Sequence, residues 1–186
     1  MKNAVSQLKA KGKAAKTAAR KLGYISTEIK NQALQNIAAD LRAHTKEILA
    51  ANKLDLKAAS ANGINETMQD RLLLTGARLK AMAKDVLSIA ILPDPVGEMF
   101  DTRTMPNGLL IGKKRVPLGV IGAMYESRPN VTIDISALCI KSGNAVILRG
   151  GKEAFHSNRA LAKLVQAATT RAGMPAGVVE FVDNTD

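Results

Sequence analysis

The sequence predicts an α/β protein in which a helical layer is followed by a projecting β-hairpin and then by the start of a doubly wound parallel sheet. Three observations predict it. From Val5 to Leu92 apolar residues recur at spacings of three and four; Pro106-Asn107-Gly108 places a turn between two short polar segments; and beyond Pro117 short apolar runs alternate with helical stretches.

In the first region the spacing of Ile29, Ala33, Leu34, Ile37, Ala38 and Leu41, and again of Leu79, Met82, Ala83, Val86 and Leu87, predicts about five helices. Breaks fall at Gly23, at Asn62-Gly63 and near Thr75-Gly76, and Pro93-Asp94-Pro95 ends the run. Gly97 to Arg115 reads as the hairpin, either a surface connection or an element that pairs with another subunit. Leu118 to Met124 is too short and too apolar for a helix and suits a strand buried on both faces. A helix over Val131–Lys141, a strand over Ala145–Leu148, a helix over Glu153–Arg171 and a strand over Val178–Val182 complete a β-α-β-α-β pattern. The sequence stops at Asp186, so the expectation is an unfinished, Rossmann-like sheet. The expected division is 1–97 helical layer, 98–116 hairpin and 117–186 the first part of a cofactor-binding sheet.

Composition bounds the partners. With 46% hydrophobic residues but 3% aromatics and no Trp, the core must be built from aliphatic side chains, as helical layers and parallel sheets are. One cysteine cannot build a disulfide framework or a cysteine-rich zinc site, which fits a reducing compartment. No apolar run is long enough to cross a bilayer, so no membrane partner is expected. The net charge of +11 is steepest at the start, where Lys2, Lys9, Lys11, Lys13, Lys16, Arg20 and Lys21 occur without an acid. A transit peptide reads similarly but is rich in Arg and Ser, which this stretch is not. It reads instead as the solvated face of a helix whose other face carries Val5, Leu8, Ala15, Ala18 and Leu22. A charge of this size fits nucleic acid, an anionic membrane surface, or a small anionic substrate and cofactor. Scarce aromatics and the lack of a recognised motif argue against nucleic acid.

In a parallel sheet, ligands gather beyond the C-terminal ends of the strands, which directs attention to two turns. Arg149-Gly150-Gly151-Lys152-Glu153 opens a helix, where glycines let backbone N–H groups approach a phosphate. It matches neither a Walker loop nor the GxGxxG fingerprint, and simple turn geometry also explains the glycines. Glu126-Ser127-Arg128-Pro129-Asn130 sets a carboxylate, a hydroxyl, a guanidinium and an amide at the mouth of the neighbouring strand. An Asn amide can stabilise a developing oxyanion, an effect worth about 10²–10³ in rate. Equally, Asn130 can cap the helix beginning at Val131 while Arg128 pairs with Glu126.

The stretch RVPLGVIGAMYESRPNVT from Arg115 to Thr132, CIKSGNAVILRGGKE from Cys139 to Glu153 and GMPAGVV from Gly173 to Val179 closely resemble the gamma-glutamyl phosphate reductases. Asn62-Gly63, Asp70-Arg71-Leu72 and Ala90 to Gly97 fit as well, so the resemblance spans the chain. It implies part of an aldehyde dehydrogenase fold and reduction of L-glutamyl 5-phosphate by NADPH to glutamate 5-semialdehyde and phosphate in proline synthesis (a glutamate-5-semialdehyde dehydrogenase). A cytoplasmic homo-oligomer is implied, with glutamate kinase upstream as a possible channelling partner. By the same resemblance Asn130 is the oxyanion donor. Ser127, Arg149, Gly150, Gly151 and Lys152 contact the NADPH cofactor, Lys152 reading the 2′-phosphate, while Glu126 and Arg128 face substrate.

Members of that family are more than twice as long and carry their nucleophilic cysteine in a later domain. The chain is therefore expected to be an N-terminal part lacking that nucleophile and inactive alone, or else an inactive module that binds NADPH or pairs with a subunit. Cys139 falls in a predicted helix among Ile135, Leu138 and Ile140 and is expected to be a buried, inert hydrophobe. His44 and His156 lack partners at ligand spacing and are expected at the surface.

Overall fold

The computed structural model describes residues 2–183. Five helices open the chain: α1 (Lys2–Leu22), α2 (Thr27–Ala43), α3 (Thr45–Ala61), α4 (Glu66–Leu72) and α5 (Gly76–Ala90). Three begin at side-chain caps, since Ser26, Asn65 and Thr75 accept from the backbone N–H of Ile29, Met68 and Arg78. The division between α2 and α3 rests on His44 alone, which ends one helix and starts the next. Pro93-Asp94-Pro95 is pinned back onto α2: Lys30 Nζ lies 2.8 Å from Asp94 Oδ2, and Thr27 Oγ1 and the Val96 N–H donate to the same carboxylate. Burial alone would raise the Asp94 carboxyl, but Lys30 and these two donors hold it below the ordinary carboxylate range.

Strands β1 (Met99–Thr104) and β2 (Leu110–Lys114) form the expected antiparallel hairpin, with every residue of both strands exposed. A register shift between Phe100 and Arg103 contains Asp101 at φ 51°, and the Phe100 ring lies under Lys113 and Arg115.

The parallel sheet has the order β3-β4-β5, from β3 (Val120–Tyr125), β4 (Ala145–Gly150) and β5 (Val179–Phe181). The first connection is α6 (Asn130–Lys141); the second is a 3₁₀ turn over Lys152–Ala154 followed by α7 (Phe155–Arg171). α1 packs on β4 from one side, through the fully buried Ala15, Ala18 and Leu22. On the other side α6 and α7 cover the sheet and are themselves covered by α2, α3 and α5. The core thus runs through stacked layers, with α6 and α7 in the middle one.

Three expectations are corrected. β3 is not buried on both faces: it is an edge strand of this sheet, with Met124 85% exposed, whereas β4 lies between two neighbours and is buried. Val5 and Leu8 remain half exposed, so only the C-terminal half of α1 reaches the core. The helix expected from Glu153 begins as a 3₁₀ turn and becomes α-helical at Phe155.

Candidate functional site

The parallel register pairs Tyr125 with Gly150, so β3 and β4 end side by side and their turns touch: a Cβ added to Gly151 would lie 3.5 Å from Glu126 Cα. Beneath them is a buried polar chain. Tyr125 Oη is 2.6 Å from Thr132 Oγ1, which donates to Asn158 Oδ1 at 3.0 Å. Burial pushes the Tyr125 hydroxyl up to about 12 against the Thr132 hydrogen bond, so it stays protonated. The other end of the Asn158 amide, Nδ2, is buried without a hydrogen-bond partner among the described residues and fills the space in which a Gly150 side chain would stand. Gly150 is thus needed for close approach of α7 to β4, not for a left-handed turn.

In the first turn Ser127 is 6% exposed and takes φ 39°, a conformation that non-glycine residues enter at a cost of about 1–3 kcal/mol. The kink reverses the chain at the end of β3 and aims Arg128 and Asn130 towards α4 and α5. There they line a cavity of about 380 Å³ with Asp70, Arg71, Arg78 and Asp85. Asn130 is the first residue of α6 and does not cap it. Its Nδ2 instead donates to Asp134 Oδ2, one turn on, at 2.9 Å. One amide N–H is held by Asp134, which orients the group and leaves the second N–H for a ligand. Among the described residues Glu126 and Arg128 form no ion pair with each other.

The second turn separates its two cations. Arg149 lies in a groove with Val5, Leu8, Met124 and Val182 on the α1 side of the sheet. Lys152 lies in another, of about 660 Å³, with Glu153, Phe155, His156 and Asp183 and with Asn62, Ile64 and Met68 from the α3–α4 connection. Nor is the end of α7 open to an anion. The buried Asp55 of α3 accepts from the N–H groups of His156 and Ser157 at 3.0 and 2.8 Å and from Ser157 Oγ at 2.6 Å. Asn52, one turn earlier, bridges Ser157, the Leu72 carbonyl and the Leu74 N–H. A phosphate at this turn would meet Lys152 and the glycine backbone, not the α7 dipole. Asp55, Asn52 and Asn158 were missed in the sequence, although a signal exists: each interrupts an otherwise apolar helical stripe, as Asn52 and Asp55 do between Ile48 and Ala59.

Cys139 is buried on α6, and burial pushes its thiol up to about 11. It is the free cysteine of the described residues and is not a thiolate near neutral pH. His44 is exposed beside Glu47, and His156 is exposed as well. Among the described residues no helix is long and apolar enough to cross a membrane.

No model of a known protein family matches the chain. Individual proteins do. A gamma-glutamyl phosphate reductase of Dehalococcoides mccartyi is 56% identical over 186 residues, all of this chain and 44% of that protein. The Enterococcus faecalis enzyme of the same name is 52% identical over 181 residues, 97% of this chain and 43% of that one. Among solved structures, the gamma-glutamyl phosphate reductase of Thermotoga maritima superposes with a TM-score of 0.93 at 41% identity, over 96% of this chain and 43% of that chain. The Saccharomyces cerevisiae enzyme gives 0.89 at 35%, over 95% and 46%. A probable aldehyde dehydrogenase of Listeria monocytogenes shares the fold alone, with a TM-score of 0.74 at 16% identity over 97% of this chain and 37% of its own. The chain therefore spans less than half the length of the curated relatives it matches. Along that span its sequence matches the gamma-glutamyl phosphate reductases, and it has the fold of the N-terminal part of an aldehyde dehydrogenase.

Proposed function

We propose that this chain provides the oxyanion donor and part of the cofactor site of an enzyme that reduces L-glutamyl 5-phosphate with NADPH to glutamate 5-semialdehyde and phosphate, in proline synthesis. The single observation that carries this reading is 56% identity along the whole chain to an enzyme named for that substrate. Residues 1–97, 98–116 and 117–186 are taken as helical layer, possible oligomerisation hairpin and cofactor-binding sheet of a cytoplasmic homo-oligomer, with glutamate kinase as the source of its substrate.

Asn130 donates its second amide N–H to the acyl oxygen, which gains negative charge as a nucleophile adds, and Asp134 keeps the amide from rotating away. Cys139 does not supply that nucleophile, because its thiol is buried and its pKa raised; a thiolate from outside these 186 residues does. Lys152 and the groove of about 660 Å³ have the charge and room for the phosphate-bearing end of a dinucleotide, while Gly150 and Gly151 keep the turn narrow. When bound, NADPH supplies hydride. Ser127 shapes the turn between the two strands, Arg149 approaches the cofactor from the α1 side, and Glu126 and Arg128 border the substrate.

In the full-length protein, Lys152→Ala is expected to reduce the preference for NADPH over NADH by about tenfold, near 1.4 kcal/mol. Titration of both nucleotides measures it, and an unchanged preference removes Lys152 from the 2′-phosphate site. The reductase reading itself fails if the full-length protein forms no NADPH from glutamate 5-semialdehyde, NADP and phosphate. An inactive binding module would form none in that assay yet bind NADPH in the titration.

A further inference from the structure

The cavity beyond β3 holds more charge than an oxyanion donor requires. Arg78 is committed to structure: its Nη2 lies 2.8 Å from Asp70 Oδ1 and its Nη1 donates to the Leu73 carbonyl at 2.7 Å, bracing the α4–α5 connection. Arg71 and Arg128 line the same space and, among the described residues, form no ion pair. Asp85 lines it from α5 and has no ion pair either. Behind Asn130 stands Asp134, whose carboxyl is pushed upward by burial, eased by the Asn130 amide, and pushed further by the negative charge of Asp85.

Two guanidiniums without an acid and one carboxylate without a cation, among the described residues, line this cavity, with Asp134 behind Asn130, and each charge is completed by the opposite one. An α-amino acid carries both on a single carbon. Its ammonium would relieve the repulsion between Asp85 and Asp134, and its carboxylate would match the planar donors of an arginine. We propose that this cavity binds the α-amino-acid end of the substrate, with Arg71 and Arg128 taking its α-carboxylate and Asp85, backed by Asp134, taking its α-ammonium. The assignment rests on the reductase reading and adds to it the residues that distinguish an amino-acid semialdehyde from a plain aldehyde.

The test uses the full-length protein in the oxidative direction, with NADP and phosphate, on three aldehydes: glutamate 5-semialdehyde, 5-oxopentanoate, which lacks the ammonium, and 4-aminobutanal, which lacks the carboxylate. Wild type is expected to favour the first in kcat/KM by about 100-fold or more over each analogue, since a site that pairs a polar group rejects substrates lacking it. Asp85→Asn should lose about 10- to 100-fold on glutamate 5-semialdehyde and stay within about twofold on 5-oxopentanoate. Arg71→Gln should show the same split between the semialdehyde and 4-aminobutanal. Both positions are exposed, so folding should survive, which circular dichroism and NADPH titration verify. Equal losses on all aldehydes, or none, would overturn the assignment. A wild type that oxidises none of the three overturns the reductase reading itself, and this one with it.

Discussion

The turns that end β3 and β4 lie side by side, yet they are built on opposite plans. The β3 turn leaves an edge strand through a strained Ser127 and enters α6 with no side-chain cap, leaving Asn130 and Arg128 turned into a cavity. The β4 turn leaves a buried strand through glycines and enters α7 by way of a 3₁₀ turn, where Asp55 from α3 already occupies the N–H groups of the helix end. One turn keeps polar groups available at a conformational cost. The other satisfies its groups with a residue about a hundred positions away, leaving Lys152 as its exposed contribution. The lesson is that a turn rich in Gly and Lys at a helix start is not yet an anion site, because an acid that the local sequence does not contain can take the helix end, as Asp55 does here.

If the β3 turn is the reactive one, Asn130→Ala should be the most costly change to activity, lowering kcat of the full-length protein by about 10²–10³ with its fold intact. Steady-state kinetics with circular dichroism decide it; a loss below tenfold would move the oxyanion donor elsewhere. If the β4 turn is the locked one, Asp55→Ala should act on stability instead. It leaves the His156 N–H and the buried donors of Ser157 without their acceptor and should cost about 2–3 kcal/mol, read from the denaturant midpoint at constant slope. Gly150→Ala should cost about 1–3 kcal/mol, as its methyl meets the Asn158 amide. A second substitution, Asn158→Ala, should then recover part of that loss.

The smallest effect probes Asp134. Its pKa in the folded protein lies above the ordinary 3.8, so the folded state holds a proton that the unfolded chain releases, and ionisation at higher pH weakens the fold. Asp134→Asn has no charge to lose. It should be more stable than wild type at pH 7, and the gain should fade as the pH falls through the raised value towards 3.8, which unfolding curves across that range would show.

Much of the architecture is present in local patterns. Apolar spacing marks α2 and α5, Pro106-Asn107-Gly108 marks the hairpin, and the alternation of short apolar runs with helices marks the parallel sheet, because each depends on residues within one or two turns of each other. The resemblance of the turn residues to one enzyme family was legible in the same way, and whole-length identity bears it out. Other features depend on partners remote in sequence. The apolar run of β3 predicts burial on both faces, but exposure is set by what stands beside a strand, and here one neighbour is β4 and the other edge is open among the described residues. Asn130 is an excellent cap by type, yet the chain enters α6 one residue too early for it to act as one, and Asp134 takes its amide. Arg149 and Lys152 are close in sequence but fall in different grooves, since the strand alternates its side chains between faces and the chain turns after Gly150. By itself, then, the sequence determined the elements, their order and the resemblance to one enzyme family, all of which rest on local periodicity and residue identity. Only the tertiary structure decided which polar groups are consumed and which remain open, because that depends on α3 meeting α7, on α5 meeting α6, and on the desolvation those contacts impose.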